Sequence, residues 1–242
     1  NLANGTYLKD GKAGVSSWKN SSRLIGFFGR ISYGYADRYN VLVSLRHEGS
    51  SKFGADHKWG NFPGVSAGWT ISNEEWMEGT RSWLDNLKLR ASFGITGVIP
   101  GSSYMSLLRY DYDTSYGNFV DASGKWSPSL TPISNANPDL RWEKSTEYNI
   151  GLDMGFFGNR LYANIDLYNK VTSDMLWEYS VPVPPNLYGY TTANVGSMSN
   201  QGIEVLIGGT PVQTKNFEWN STLTLAHNRN KLLSMSNDLY ET

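Results

Sequence analysis

The 242-residue sequence contains no cysteine, which excludes a domain held together by disulfide bonds. It also lacks any apolar run of about 18 residues or more, so a transmembrane helix is excluded. A strong charge of one sign is missing as well, because the formal net charge is only -1. Nucleic-acid affinity depends largely on clustered Lys and Arg, and a general polyanion binder is therefore excluded too.

Glycine and aromatic residues, by contrast, are abundant: the chain has 25 Gly, 15 Tyr and 9 Trp. This composition favours an all-β fold with many strands joined by turns. The mean hydropathy of -0.43 does not exclude a transmembrane β-barrel, since every second residue of a barrel strand can face a polar lumen. The first residues, NLANGTYLKDGK, have no apolar segment of the kind a signal peptide needs, so export cannot be inferred from this end.

Alternation of apolar and polar residues predicts strands along much of the chain. In residues 23–35, for example, Ile25, Phe27 and Ile31 are apolar, while the even positions include Arg30 and glycines. A period of two residues is typical of a strand with two different faces. About eight to ten strands are expected in all. The other alternating segments are 39–48, 65–71, 87–96, 147–154, 161–168, 203–208 and 217–225.

Strand length favours an antiparallel transmembrane β-barrel over a soluble sandwich. Soluble strands average about 5 to 6 residues, whereas membrane strands need roughly 9 to 11, and several runs here reach the longer span. Period alone does not choose between the two, because a sandwich strand alternates as well. Charges on the polar faces and rings near the strand ends are typical of a barrel with aromatic girdles. These rings are Tyr33, Tyr35, Tyr39, Trp69, Phe156 and Trp219.

Two other architectures stay open at this point. The Tyr and Trp content also suits a soluble carbohydrate-binding β-sandwich, because flat rings stack on sugars. About eight strands can also close as a small free-standing barrel of adhesin or structural type.

Short and long connections alternate, as in outer-membrane barrels with short periplasmic turns and long outer loops. The short connections are 36–38, 157–160 and 210–216, and the long ones are 49–62, 97–144 and 171–200. Residues 73–86, NEEWMEGTRSWLDN, are predicted to form a short amphipathic helical turn on the periplasmic side. The alternation places both ends of the chain on the outer side, so we expect an internal part of a larger barrel.

Four segments resemble, in order, the signatures of SusC/RagA transporters. The first contains a Gly-Ser-Ser-x-Phe-Gly loop followed by Trp-Gly-x-Phe-Pro at the start of a strand. The segments are SLRHEGSSKFGADHKWGNFPGVSAGWTISNEEWM (44–77), LKLRASFGITG (87–97), NPDLRWEKSTEYNIGLDMGFFGNRL (137–161) and NVGSMSNQGIEVLIGGTPV (194–212). The resemblance covers nearly the whole chain and is weakest in 1–22, 98–136 and 178–192.

The resemblance implies a barrel of roughly 22 strands in the bacterial outer membrane, occluded by a plug and energised through TonB. It further implies import of glycans or oligopeptides with a SusD-like surface lipoprotein as partner. We find neither plug nor TonB box in the chain, so residues 1–242 are expected to be part of the barrel domain alone.

Candidate contact residues follow from this interpretation, and no enzymatic activity or cofactor is expected, because nucleophile signatures are missing. Aromatic side chains of the outer loops could stack on sugars or peptide side chains, or pack on one another. They are Trp59, Tyr104, Tyr110, Tyr112, Tyr116, Trp126 and Tyr188. Charged residues are expected to face the lumen or the plug. They are Arg30, Arg46, Glu48, Arg90, Asp153, Asp166 and Glu204.

Metal sites are not expected, because His47, His57 and His227 have no ligand-spaced partners. The run that begins at Asp111 faintly resembles a calcium loop, but its glycine is misplaced and its twelfth position is Ala122.

Overall fold

The computed structural model describes residues 19–113, 119–127 and 129–235. These parts of the chain form twelve strands, of which eight build one sheet and four build two small hairpins. The strands are β1 (Leu24–Tyr35), β2 (Tyr39–Ser50), β3 (Trp59–Thr70), β4 (Leu84–Val98), β5 (Arg109–Asp113), β6 (Phe119–Val120), β7 (Trp126–Ser127), β8 (Ser129–Ser134), β9 (Glu143–Phe156), β10 (Leu161–Ser180), β11 (Tyr190–Gln213) and β12 (Glu218–Ser234).

The large sheet is an antiparallel meander with the order β1-β2-β3-β4-β9-β10-β11-β12. Strands β5 to β8 leave this order between β4 and β9, where β5 pairs with β8 and β6 with β7. Within the described residues, β1 and β12 are the two edges and the sheet does not close on itself. The predicted all-β antiparallel barrel segment is therefore confirmed, with eight strands in the wall.

Short turns and long loops lie at opposite ends of the sheet, as predicted. We call the end with 36–38, 71–83, 157–160 and 214–217 the turn end, and the end with 51–58, 99–142 and 181–189 the loop end. In the first turn, Ala36 and Asp37 have φ values of 52° and 53°, and the N–H of Arg38 donates to the carbonyl of Tyr35 at 3.0 Å. Two consecutive residues with positive φ are the signature of a type I′ hairpin turn, which matches the strand twist.

The predicted loop at 171–200 was wrong, because β10 continues to Ser180 and β11 already begins at Tyr190. Backbone pairing persists there although both faces carry polar side chains, so the alternation that reveals a strand in the sequence is lost. β3 begins at Trp59 rather than near Val65, because Gly60, Phe62 and Pro63 break the alternation of polar and apolar residues at its start. The long connection after β4 also contains two hairpins that alternation did not indicate.

Residues 73–86 contain the predicted helical turn, but in 3-10 form. The helices are Ile71–Asn73 and Glu75–Thr80, and the side chain of Met77 is buried while Trp76 is exposed. Among the described residues, no helix has both the length and the apolar character needed to cross a bilayer.

Away from the bulges near the ends of β4, β10, β11 and β12, side chains alternate between two faces of the sheet. One hydrogen-bonded row contains Tyr33, Val41, Ala67, Ala91, Ile150, Leu167 and Ile203, and we call the side to which it belongs the apolar face. The adjacent row on the opposite, polar face contains Gly34, Asn40, Gly68, Arg90, Gly151, Asp166 and Glu204. Each strand therefore has one apolar and one polar side, as the alternation predicts.

The apolar face is not covered by a second sheet. Ile25, Val43, Ile150 and Leu223 are 53%, 46%, 56% and 55% exposed, whereas a sandwich would bury such residues in a dry interior. Ile95 differs from the others, because it packs against a small buried cluster at the loop end. The sandwich architecture is thus not the fold of the described residues.

At the turn end, Glu74 joins the helical segment to the first hairpin. Its carboxylate accepts hydrogen bonds from the Tyr39 hydroxyl at 2.6 Å, Trp69 Nε1 at 2.9 Å and Arg38 Nη1 at 2.9 Å. These donors, the Tyr39 hydroxyl foremost, lower the pKa of Glu74 to about 2. The carboxylate therefore stays ionised although the residue is only 6% exposed.

Glu74→Gln should loosen segment 71–80, because an amide carries no charge and has only one acceptor oxygen for three donors. The pKa of the wild-type carboxyl lies below its ordinary value of 4.5, so its stabilisation is complete above pH 4.5 and disappears as the pH falls through about 2. We expect hydrogen exchange in 71–80, corrected for intrinsic rates, to accelerate several-fold over that range in the wild type. The variant should exchange faster already at pH 7 and show little of this pH dependence.

The matched control is Glu78→Gln, because the carboxylate of Glu78 lies at the surface, 3.7 Å from Arg81 Nη1. It should leave the exchange of the segment unchanged. Identical exchange in the Glu74 and Glu78 variants would contradict the anchoring role of Glu74.

Candidate functional site

The polar face carries an ionic network at the centre of the sheet. Arg90 on β4 donates from Nε to Asp153 Oδ2 at 2.7 Å and from Nη2 to Asp153 Oδ1 at 2.8 Å. The same Nη2 lies 3.2 Å from both carboxylate oxygens of Asp166, on β10. Asn164 Nδ2 adds a further bond to Asp153 Oδ1 at 2.7 Å. A two-point guanidinium–carboxylate contact is among the strongest hydrogen-bonded pairs in proteins.

Gly151 makes this network possible. It pairs directly with Arg90 on one side and with Asp166 on the other, so it lies between them in the same row. A β-carbon at Gly151 would lie 2.6 Å from both Arg90 Nη2 and Asp166 Oδ1. The missing side chain therefore lets the guanidinium reach across a whole strand.

Other predicted lumen residues lie on the same face but have different surroundings. Arg46 Nη2 donates to Glu48 Oε1 at 2.7 Å, and Glu48 is buried. Arg30 and Glu204 are exposed, and no ion pair joins either of them to another described residue. The face thus combines internally paired charges with charges, such as those of Arg30 and Glu204, that remain available for other contacts.

At the loop end, four apolar side chains form a small buried cluster. They are Phe53, Phe62, Leu140 and Trp142. The Trp142 ring lies 4.6 Å from that of Phe53 and 5.1 Å from that of Phe62, and its Nε1 donates to the Lys58 carbonyl at 3.0 Å. The loop that carries Phe53 is also held by a backbone bond of 2.8 Å from Gly54 to Leu140. A methyl group on Gly54 would overlap the Pro138 carbonyl, so this loop fits closely against the segment before β9.

Asparagine side chains hold the loops together by satisfying backbone groups. Asn135 Nδ2 donates to the carbonyls of Tyr188 and Tyr190, at 2.6 and 2.9 Å, and Asn137 Nδ2 donates to the Thr192 carbonyl at 2.7 Å. Asn194 accepts from the Arg141 N–H at 2.9 Å and donates to the Arg141 carbonyl at 2.8 Å. An amide side chain can bridge two chains in this way because it is both donor and acceptor.

These residues were not among the predicted site residues, although several lie in the segments that resemble the family signatures. The three segments with Phe53, Leu140 and Asn194 are far apart in the sequence but meet at the loop end. Their only sequence signal is a concentration of aromatic, Asn and Gly residues in otherwise polar loops.

The predicted loop aromatics do not form one surface. Trp59 lies on the apolar side and stacks on His47 at 4.7 Å, and its ring centre is 6.5 Å from that of Phe27. The Tyr104 hydroxyl accepts the Ser21 N–H at 2.9 Å, next to the start of β1.

Three rings point to solvent more freely: Tyr110 and Trp126 are exposed, and Tyr188 is partly covered by Tyr190 at 6.1 Å. The Tyr112 side chain and Tyr116 lie outside the described residues.

The three histidines are scattered, as the sequence indicates. His47 Nδ1 is 2.7 Å from Asn61 Oδ1, and His57 Nε2 is 3.7 Å from Asp139. His227 lies on β12, far from both in the strand order. Of the run resembling a calcium loop, residues 114–118 lie outside the described parts of the chain.

Comparison with protein families gives a match over residues 2–238 to the model described as TonB dependent receptor-like, beta-barrel. TonB-dependent receptor P39 of Formosa agariphila is 35% identical over 221 residues, which are 90% of this chain and 20% of that protein. TonB-dependent receptor SusC of Bacteroides thetaiotaomicron is 33% identical over 222 residues, or 91% of this chain and 22% of that protein. The chain therefore spans about a fifth of the length of these relatives.

Solved structures show the same similarity. The RagAB peptide importer in its open-open state matches with a TM-score of 0.77 and 30% identity, over 87% of this chain and 22% of that chain. The siderophore receptor PirA of Pseudomonas aeruginosa matches with a TM-score of 0.54 and 14% identity, over 87% of this chain and 35% of the receptor, which shows a shared fold alone.

Gly151→Ala should destabilise the wall, because the new methyl group would separate Arg90 from Asp166. We expect a loss of about 1 to 3 kcal/mol, typical of overpacking at a well-packed site. Urea unfolding of the native full-length protein in detergent measures this loss. Gly94→Ala is the matched control on the same face, because a β-carbon there meets nothing within 4 Å. Equal stability of the two variants would show that the Arg90 network does not depend on the space at Gly151.

Proposed function

Because the chain belongs to the TonB-dependent receptor-like β-barrel family, we propose that its sheet is part of the wall of an outer-membrane nutrient importer. The observation that carries this proposal is the single-layered sheet with one exposed apolar face and one charged face. In water such an apolar face would be strongly unfavourable, whereas lipid tails cover it at no cost.

The dimensions of the apolar face agree with a bilayer. On β1 it extends from Ile25 to Tyr35, ten residue steps or about 33 Å along the strand. A strand tilted by about 45° then spans roughly 23 Å of membrane, close to the hydrophobic thickness that barrels present. Aromatic rings lie at the two ends of the apolar face. Tyr39 and Trp69 stack on each other at the turn end, and Trp59 stacks on His47 at the loop end. This arrangement is typical of aromatic girdles at the two membrane surfaces.

The polar face would then line the lumen or contact the plug. Arg90, Asp153 and Asp166 are paired with one another within the wall, so their main role is to stiffen the barrel. Arg30 and Glu204 lack partners among the described residues and are the better candidates for contacts with a plug or a passing substrate. Arg46 and Glu48 lie nearer the loop end, where substrate would enter.

We infer that the imported substrate is a glycan or an oligopeptide, handed over by a SusD-like lipoprotein. The similarity to SusC and to the RagAB peptide importer supports this inference. The exposed rings of Tyr110, Trp126 and Tyr188 at the loop end offer stacking surfaces for either substrate. Energy would come through TonB, which is the feature that gives the family its name.

Single cysteines can test the orientation of the two faces, because the sequence contains no cysteine of its own. Val65 and Ser66 are neighbours on β3 that point to opposite faces, and Val65 is the more exposed of the two. In intact outer membranes we nevertheless expect Ser66→Cys to react with a water-soluble maleimide at least about tenfold faster than Val65→Cys, since lipid would cover the apolar face. Faster labelling of Val65→Cys would contradict a membrane wall. Asn149→Cys and Ile150→Cys repeat the comparison on β9.

Import itself is tested by uptake of labelled oligopeptides and labelled oligosaccharides by cells that produce the full-length protein. We expect one of these classes to enter, and its uptake to fall to background when TonB is disrupted, because a plugged barrel opens only with energy input. Deletion of the SusD-like lipoprotein should lower uptake at low substrate concentration. Uptake that persists without TonB would contradict the proposal, as would uptake of neither class.

A further inference from the structure

Charge is divided unequally between the two faces of the sheet. In the continuously paired parts of the sheet, every carboxylate lies on the polar face. These residues are Glu48, Glu143, Glu147, Asp153, Asp166 and Glu204. The apolar face has no Asp or Glu at these positions, yet it carries Lys144 on β9 and Arg229 and Lys231 on β12. Cations without nearby carboxylates on a lipid-exposed face call for a partner outside the chain.

The cations lie beyond the apolar part of the face, on the side of the loop end. On β12, Leu223 and Leu225 are followed at the next outward positions by His227, Arg229 and Lys231. On every other strand of the sheet except β4, the side chains of this face also change from apolar to polar toward the loop end. The first polar residues of this kind are Arg23 before β1, His47 on β2, Asn61 on β3, Thr146 on β9, Asn169 on β10 and Gln201 on β11.

We call the outward positions of Lys144, His227, Arg229 and Lys231 the basic rim. The three residues on β12 lie at every second position, so consecutive side chains are about 7 Å apart on one face. Between β9 and β12 the rim contains uncharged hydrogen-bonding groups, among them Gln201 opposite Arg229 and Ser199 opposite Lys231. No ion pair joins Lys144, Arg229 or Lys231 to another described residue.

The geometry points to phosphorylated lipid of the outer leaflet as the partner of the basic rim, and this inference rests on the membrane orientation proposed above. Long loops mark the outer side of an outer-membrane barrel, so the rim lies at the height of the outer headgroups. Arg binds phosphate oxygens at two points, and Lys and hydroxyl groups add single contacts. The apolar face directly below the rim would contact the acyl chains of the same lipid. An amphipathic phosphate ester matches both surfaces, whereas a protein partner would leave the apolar part uncovered.

The test uses the full-length protein, delipidated in detergent and titrated with phosphorylated lipid A, with bound lipid counted by native mass spectrometry. We expect the wild type to bind phosphorylated lipid A at least about tenfold more tightly than its dephosphorylated form, because each cation contributes about a fivefold effect at a membrane surface. Arg229→Gln combined with Lys231→Gln should abolish most of that preference.

The matched control is Lys88→Gln combined with Lys170→Gln, which removes the same charge from the polar face. It should bind phosphorylated lipid A like the wild type. Equal affinity of the wild type and the Arg229 and Lys231 double variant would overturn the inference, as would equal binding of the two forms of lipid A. Heat-modifiable migration on gels is measured on the same samples. If heat-modifiable migration is present, a negative lipid-binding result refutes only the proposed role of the basic rim. If heat-modifiable migration is missing, the proposed barrel wall itself is refuted.

Discussion

The structure depends on one constraint. The backbone N–H and C=O groups of the wall bond to neighbouring strands of a single sheet, so successive side chains must point alternately to two different surroundings. The pairing is continuous over the central residues of all eight strands, from β1 to β12. Because no second layer of described residues covers the apolar face, its stability requires an apolar surrounding rather than a protein core. The few buried apolar side chains of the described residues lie in the loops, as Phe53, Leu140 and Trp142 do, or near the ends of the strands rather than in the middle of the wall. Core packing therefore orders the loops and the ends of the strands, while backbone hydrogen bonding orders the middle of the wall.

Alternation in the sequence predicted every strand of the wall, because the contrast between Leu89 and its neighbours Lys88 and Arg90 reflects the different surroundings of the two faces rather than a particular packing partner. It failed where that contrast ends. Residues of β10 beyond Val171 continue to pair although polar side chains such as Thr172 and Ser173 follow one another. The short strands between β4 and β9 escaped prediction because they have only two to six residues each, too few for alternation to stand out. Ile95 follows the alternation but packs against the buried cluster that contains Phe62 and Trp142, a contact that only the folded loops create.

The predicted charged residues share the polar face, since a period of two is enough to assign a face. Their partners could not be predicted, because the contact between Arg90 and Asp166 depends on the register of β4, β9 and β10 and on the missing side chain of Gly151. Similarly, the amide bridges of Asn135, Asn137 and Asn194 join segments separated by more than 50 residues. Sequence signatures in these loops mark positions that matter, but the reason is visible only in three dimensions.

Paired and unpaired charges consequently have different meanings in this wall. A carboxylate or guanidinium that is satisfied within the sheet, such as Asp153 or Arg90, loses little by being removed from water and gains rigidity for the barrel. A charge without a partner on the same sheet remains available to bind an oppositely charged group of another molecule. On the polar face that argument includes Arg30 and Glu204, both of which are exposed. On the apolar face it selects Arg229 and Lys231, which form no ion pair with another described residue and face the uncharged Gln201 and Ser199 on β11. Both sets follow from the same principle, because a β-wall has no interior in which an unpaired charge could otherwise be neutralised.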